Sequence, residues 1–172
     1  EHVHVASAQD QSNIDGTFTA TDLTYDKGQG DGLVATNGTA KISITDSHLT
    51  GGGPSTGDML SMHAGDSLTV NNTEITGAHC AFHIFGLTSL TLNHDNIHGN
   101  SYGFMMYRTS DGGTRTITDT NIFDNAGFGI DEGSAANHNG PITVTGSYIL
   151  LPTRYGMKLP VAVSRGPNSI SE

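Results

Sequence analysis

Apolar and short polar residues alternate along six short stretches of the chain, which is the pattern of a β-strand with one buried face. The stretches are 18–20, 42–44, 68–70, 90–92, 115–117 and 142–144. The phrase that begins at Leu68 returns 22 residues later at Leu90, so the pattern belongs to a sequence repeat.

A polar corner, one further apolar residue and a second strand follow each of these first strands. The corner column consists mostly of Asx and Gly, which tolerate left-handed backbone at a sharp bend: Asp22, Asp46, Asn72, His94, Asp119 and Gly146. The apolar residues after the corner are Tyr25, Leu49, Ile75, Ile97, Ile122 and Ile149. The second strands, usually led by a small residue, are 32–35, 59–62, 81–84, 103–106, 129–132 and 156–159.

These repeats predict an all-β coil of parallel strands with about six turns, in which each turn buries its apolar face against its neighbours. We place the coil at 17–159, with 1–16 as a polar, irregular N-terminal segment or cap and 160–172 as a C-terminal tail. Arg115 and Glu132 fall in inward columns, so we expect a bulge or a register slip at Arg115. Met59, Met62, Met106 and Met157 also fall inward and are expected in the core.

Composition narrows the possible functions. The 23 Gly, the 6% of aromatic residues and the absence of Trp fit a turn-rich β-architecture. A net charge of −10 with only seven Lys and Arg disfavours nucleic acid as a partner. No apolar run approaches the roughly 20 residues of a membrane helix, so we expect no transmembrane segment. The chain begins at Glu1 without Met, which fits a processed or trimmed chain, and its one Cys cannot form an internal disulfide.

The repeated strands and corners resemble the right-handed parallel β-helix proteins of the pectate-lyase-like superfamily. This resemblance covers about 17–159 and implies a secreted or cell-surface protein that binds, and in some members processes, a polysaccharide. The superfamily also includes phage adhesins and non-catalytic surface proteins, and no catalytic motif of a particular family matches here. An open end of such a coil exposes strand edges, which allows end-to-end self-association.

The outward positions of the second strand form the candidate sugar-binding strip. Its columns contain Val34, Ser61, His83, Met105, Asp131 and Lys158, and, two residues further on, His63, Phe85 and Tyr107. Exposed aromatic rings beside titratable groups are typical of surfaces on which sugar rings stack.

The resemblance also implies how such a strip would act in a polysaccharide lyase, by β-elimination, or in an epimerase. An Arg or Lys removes the proton next to a uronate carboxyl, often with Ca²⁺ to neutralise the carboxylate. Arg108 and Lys158 are the basic candidates, with Asp131 as the carboxylate and His83 as the imidazole beside them. A hydrolase would need two facing carboxyl groups, and Asp131 has no evident partner, so hydrolysis ranks below elimination.

The outward positions of the first strand predict a different surface, which is rich in Thr and uncharged. Its Thr residues are Thr19, Thr21, Thr45, Thr69, Thr91, Thr116, Thr118, Thr143 and Thr145. Thr fits a strand surface well, so a merely structural role explains the pattern. The flat array also resembles β-solenoid ice-binding proteins, which makes an ice-binding or structural solenoid the main alternative.

A metal-binding surface protein is a further alternative because nine His is a high number for this length. The candidates are His79 and His83, but four steps of extended strand separate them by about 13 Å unless a turn intervenes. We expect Cys80 to be a small buried residue, and His48, His94 and His98 to be ordinary turn and surface positions.

Overall fold

A computed structural model describes residues 3–7, 12–53, 55–106, 114–127, 129–131, 142–150 and 169–171. Its strands wind into a parallel β-solenoid with three sheets, which the chain visits in the order I, II, III in each turn. Sheet I comprises β3 (Thr17–Thr21), β6 (Lys41–Thr45), β9 (Ser67–Asn71), β12 (Ser89–Asn93), β15 (Thr114–Thr118) and β18 (Ile142–Thr145). Sheet II comprises β1 (Val3–Ser7), β4 (Leu23–Lys27), β7 (His48–Thr50), β10 (Glu74–Thr76), β13 (Asn96–His98), β16 (Asn121–Phe123), β19 (Tyr148–Leu150) and β20 (Ser169–Ser171). Sheet III comprises β2 (Ser12–Asn13), β5 (Leu33–Ala35), β8 (Leu60–Met62), β11 (Cys80–Ile84), β14 (Tyr102–Met106) and β17 (Ile130–Asp131).

The predicted parallel β-helix is confirmed. Within the described residues, six successive strands of sheet I are separated by five complete turns. Sheet II was not predicted as a sheet, because its inner strands are three residues long and carry only one inward residue each. The segment 1–16, expected to be irregular, contains β1, which pairs with β4, and β2, which pairs with β5. At the other end, β20 lies in the segment 160–172 and pairs with β19.

The interior is filled by apolar side chains that stack in register from one turn to the next. Ile75, Ile97, Ile122 and Ile149 form one such column in sheet II. Phe82 and Phe104 form another contact in sheet III, with ring centroids 4.9 Å apart and both side chains fully buried. Met59, Met62 and Met106 are buried as predicted, whereas Met157 lies outside the described residues.

Arg115 does not mark a register slip. It pairs with Leu90 on one side and Ile142 on the other, so the register of sheet I continues through it. Its side chain is only 4% exposed, so the inward column does contain an arginine. The expected bulge or slip was therefore wrong. Glu132 lies outside the described residues.

The corner between sheets I and II has the left-handed backbone that the sequence predicted. The φ angles of the six corner residues Asp22, Asp46, Asn72, His94, Asp119 and Gly146 lie between 48° and 62°. The residue after the corner is polar and buried in most turns, and its side chain accepts a backbone N–H from the preceding turn. Thr73 N donates to Asp95 Oδ1 (2.9 Å), Asp95 N to Thr120 Oγ1 (3.3 Å) and Thr120 N to Ser147 Oγ (3.1 Å).

Asn100 and Asn125 make an equivalent ladder at the corner between sheets II and III. Asn100 Oδ1 accepts the N–H of Ala78 (2.9 Å), and Asn125 Oδ1 accepts the N–H of Asn100 (3.1 Å). Both amides are buried, and their Nδ2 groups donate to the backbone carbonyls of Ile75 and Ile97. Buried backbone groups at this corner are thus satisfied by side chains.

Candidate functional site

The outward column of sheet III has the register that the sequence pattern predicted. His83 lies between Ser61 and Met105, and the column continues to Val34 on one side and Asp131 on the other. Its exposure differs from the expectation: Val34 and Ser61 are 2% and 1% exposed, and His83 is half-buried. The prediction of an exposed strip is therefore wrong at Val34 and Ser61, at one end of the column.

Three rings lie against one another where His83 of this column meets two residues of the neighbouring outward column. His63 stacks on Phe85 with ring centroids 4.7 Å apart and an interplanar angle of 17°. His83 contacts the same phenyl ring at 4.3 Å and 41°. His63 is exposed and Phe85 is half-buried, so one side of the group faces solvent. We call His63, Phe85 and His83 the ring cluster.

Asp58, two residues before β8, connects the ring cluster to a group of titratable side chains. Its Oδ2 accepts a hydrogen bond from His83 Nδ1, and its Oδ1 accepts one from His79 Nδ1 at 3.0 Å. The backbone N–H of Cys80 also donates to Oδ1, at 3.2 Å. The thiol Sγ of Cys80 lies 3.4 Å from His79 Nδ1 and 3.2 Å from Met105 Sδ. We call Asp58, His79, Cys80 and His83 the Asp58 cluster.

The surroundings set the protonation of the two acidic groups in opposite directions. Burial by itself would raise the pKa of Asp58, but hydrogen bonds from His83, His79 and Cys80 outweigh it and lower this pKa to about 2. Burial, reinforced by the negative charge of Asp58, raises the pKa of the Cys80 thiol far above its usual value. Asp58 is therefore ionised at neutral pH, and Cys80 is a neutral, buried thiol, as the sequence predicted for it.

Lys27 is buried behind this group. Its Nζ donates to the carbonyls of Gly30 and Thr56, each at 2.6 Å, and the side chain is 4% exposed. Burial lowers the pKa of Lys27, while the charges of Asp31 and Asp58 act in the opposite direction. Asp31 in turn accepts the backbone N–H of Asp58 at 2.9 Å. The lysine thus helps to compensate two carboxylates in adjacent turns.

Sequence reasoning missed Asp58, Asp31 and Lys27. The signal was present, because Asp31, Asp58, Cys80 and Tyr102 occupy one column at the entry to sheet III. Aligning the residue before each second strand would have placed Asp58 beside Cys80. Tyr102 was also missed, and its ring contacts that of His79 edge to face at 5.2 Å.

Several predicted site residues lie outside the described residues. These are Tyr107, Arg108 and Lys158, the first a proposed sugar contact and the others the proposed bases. The backbone of Asp131 pairs with that of Met105, but the structure does not describe the side chain of Asp131. The structure therefore brings together His63, Phe85, His83 and His79 of the predicted set.

The predicted Thr positions occupy two adjacent rows on the outward face of sheet I. One row contains Thr19, Ser43, Thr69, Thr91, Thr116 and Thr143, and the other contains Thr21, Thr45, Asn71, Asn93, Thr118 and Thr145. Each side chain lies beside its equivalent in the next turn, about 4.8 Å away. Asn93 Nδ2 donates to Asn71 Oδ1 at 2.8 Å along the second row. None of these side chains is charged.

Sheet II carries a second group of histidines around a carboxylate. Glu74 accepts hydrogen bonds from His48 Nδ1 at 2.8 Å and from His98 Nε2 at 2.7 Å. The hydrogen bond from His98 is the main cause of a lowered pKa of Glu74. His98 also stacks on Phe123 at 4.9 Å and 18°. A groove of about 300 Å³ beside this group is lined by the corner residues Asp22, Asp46 and Asn72 together with His48 and Glu74.

Comparison with known proteins identifies the family to which this solenoid belongs. The family model described as a right handed beta helix region matches residues 6–159. The chain therefore belongs to the right-handed β-helix family, and the expected membership of a parallel β-helix superfamily is confirmed. Comparison with curated proteins and with solved structures gave no significant match. In the described part of the chain, no helix is long and apolar enough to cross a membrane.

Proposed function

We propose that the protein is an extracellular or cell-surface β-helix that binds a polysaccharide over the outward face of sheet III. The observation that carries the proposal is the ring cluster, in which the stacked pair of His63 and Phe85 presents a flat, partly exposed surface. The C–H groups of a pyranose pack on such a face, and nearby polar groups fix its orientation.

Buried polar groups beside the rings hold them in a fixed orientation. Ser61 Oγ lies 3.3 Å from His63 Nε2, so the imidazole is oriented by a side chain two residues earlier. His83 is held through its other side by Asp58, which fixes the third ring relative to the first two. A rigid set of rings loses little conformational entropy when it binds a ligand.

The test is co-sedimentation of the protein with a panel of insoluble polysaccharides, including pectate gels, with and without Ca²⁺. Replacing His63 and Phe85 together by Ala should abolish the binding that the wild-type protein shows. The matched control replaces His98 and Phe123 by Ala, which removes a stacked imidazole–phenyl pair of nearly the same geometry from sheet II. Equal loss in both double variants, or retention in the first, would overturn the proposal.

The same experiment also measures whether the protein cleaves the polysaccharide. β-Elimination would raise the ultraviolet absorbance of unsaturated uronides in the supernatant, and Arg108 and Lys158 would then be the first residues to replace. Sedimentation without a rise in absorbance makes the protein a binding module. Loss of binding on replacement of Tyr107 as well would extend the strip beyond the ring cluster.

A second candidate function is favoured by the two rows of Thr on sheet I. Ordered hydroxyl and methyl groups on a flat uncharged face support ice binding by arranging water on that face. Ice-affinity partition of the wild-type protein and of the T91Y/T116Y variant tests this candidate. The candidate requires partition into ice that the variant loses while its fold, followed by circular dichroism, is unchanged.

A further inference from the structure

The Asp58 cluster brings three chemically different donors together at the entry to sheet III. A carboxylate oxygen of Asp58, Cys80 Sγ and a ring nitrogen of His83 all lie within 4.8 Å of one another. Within the part of the chain that the structure describes, this is the one group of His, Cys, Asp or Glu side chains with that arrangement. The cluster is assembled from two adjacent turns, because Asp58 precedes β8 and the other two residues belong to β11.

The donors of Asp58, Cys80 and His83 lie close enough to one another to share one small metal ion. A tetrahedral Zn²⁺ site has metal–ligand distances of about 2.0–2.3 Å, which place neighbouring donor atoms about 3.3–3.8 Å apart. His79 Nδ1 lies 3.4 Å from Cys80 Sγ, within this range, and 3.0 Å from Asp58 Oδ1, which is slightly shorter.

We propose that Asp58, Cys80 and His83 bind a late first-row divalent metal ion, with Zn²⁺ as the representative, and that His79 faces the fourth position. The donor types select the ion, because imidazole and thiolate suit Zn²⁺ and its neighbours, whereas Ca²⁺ and Mg²⁺ prefer oxygen ligands only. In the metal-free protein, hydrogen-bonding protons occupy the space between these atoms. Binding replaces them: the thiol proton leaves to solvent, and the imidazole of His83 carries its proton on the nitrogen that does not bind the ion.

The surroundings are those of a preorganised site. Asp58 and Cys80 are buried, and His83 is held between Asp58 and the ring of Phe85. The backbone N–H of Cys80 donates to Asp58, and that of Asp58 donates to Asp31, so the carboxylate is fixed by main-chain contacts. Met105 Sδ packs against the thiol and covers its other side. His79 is 41% exposed, which leaves a route by which an ion can enter.

This proposal shares His83 with the ring cluster, but its test uses no sugar and can succeed or fail separately from polysaccharide binding. Isothermal titration of the chelator-treated full chain with Zn²⁺ should show one binding site. Loss of a group that only supports the ligands costs about 10- to 100-fold in metal affinity, and we expect a loss in this range for H79A. We expect C80S, D58N and H83A, which each remove a ligand, to weaken Zn²⁺ binding by more than this. H98A is the matched control, because it removes an imidazole from the Glu74 group on sheet II and should leave the affinity unchanged.

A spectroscopic measurement on the wild-type protein guards against variants that misfold. Co²⁺ in place of Zn²⁺ should give a sulfur-to-cobalt charge-transfer band in the near ultraviolet, which reports the thiolate ligand directly. Absence of this band, binding by C80S as tight as by the wild type, or an equal loss in H98A and H83A would each overturn the proposal.

Discussion

His83 and Asp58 lie 25 residues apart in the sequence and are joined across one turn of the solenoid by a hydrogen bond from His83 Nδ1 to Asp58 Oδ2. An extended strand would separate His79 from His83, yet both imidazoles donate hydrogen bonds to the carboxylate of Asp58. His79 lies in the bend before β11, and each imidazole reaches a different oxygen of the same carboxylate. Asp58 is thus the residue around which the cluster is built.

Asp58 makes the free energy of unfolding of the metal-free protein change with pH in the acid range. Its pKa is about 2 in the fold against an ordinary value of 3.8, so its ionised form stabilises the fold above pH 3.8. This contribution, about 2 kcal/mol, is lost as the pH falls from 3.8 to 2. In chemical denaturation with a chelator present, D58N should be about 2 kcal/mol less stable than the wild type at pH 7. The difference should shrink toward pH 2, and an equal difference at both pH values would contradict this account. D15N, at an exposed aspartate, is the control.

The contribution of Asp95 to the free energy of unfolding should change with pH in the opposite direction. It is fully buried in the corner ladder, and burial raises its pKa to about 7, despite hydrogen bonds from the N–H groups of Thr73 and Asn93. Because this pKa is higher in the folded state than in the unfolded state, the stabilising contribution of protonated Asp95 is fully present below pH 3.8. About 4 kcal/mol of the free energy of unfolding is then lost as the pH rises to 7. D95T places in the ladder the hydroxyl that Thr73 and Thr120 already supply. We expect D95T to raise the free energy of unfolding by about 2–4 kcal/mol at pH 8 and by little at pH 4. Denaturant titrations at the two pH values measure this, and a pH-independent gain would contradict it.

Gly51 should not tolerate a side chain. A Cβ at this position would lie 2.4 Å from the carbonyl oxygen of Gly77 and 2.5 Å from the backbone N of Ala78, so backbone atoms of the next turn would have to move. We expect G51A to lower the free energy of unfolding by about 3 kcal/mol. G38A is the matched control, since nothing lies within 4 Å of its added Cβ and its effect should stay within about 0.5 kcal/mol. Thermal unfolding of the two variants distinguishes close packing of the turns from a general effect of replacing glycine.

Phe104 should be among the most costly core residues to truncate. Its fully buried ring packs on Phe82 of the preceding turn, so F104A removes contacts in two turns at once. The expected loss is about 3–5 kcal/mol in denaturant unfolding. F123A, in which the ring lies half-buried on the outside of sheet II, should cost much less. Similar losses in the two variants would mean that the stacked interior contributes less than its burial implies.

The sequence predicted those features of the fold that depend on residues within one turn. The alternation of Leu90, Thr91 and Leu92 was sufficient to assign the faces of β12, and the Asx and Gly column predicted the left-handed corners. Sheet II was missed because a three-residue strand with one inward side chain, such as Ile97, has no alternation to detect. Arg115 was misjudged because a charged residue in an inward column looks like an error of register.

The candidate site was harder to predict because it depends on contacts between turns. The alternation pattern shows that a side chain points outward, but it does not show whether other side chains cover it. For this reason Ser61 was expected to be exposed, whereas it is buried. Asp58 was not considered, since its importance comes from Cys80 and His83 in the following turn and not from any motif of its own. A comparison of equivalent positions in adjacent turns is the step that would have found it.

The division of the Asp58 cluster between two turns has a consequence for how a repetitive chain acquires such a group. Duplication of a single repeat copies either the carboxylate or the thiol and imidazoles, but never the assembled cluster. Insertion of one extra repeat between residues 64 and 66 would move Asp58 a further 4.8 Å or so from Cys80 and His83 while leaving every strand and corner intact. The assembled cluster therefore requires that these two unlike repeats be direct neighbours, a condition that the fold alone does not impose.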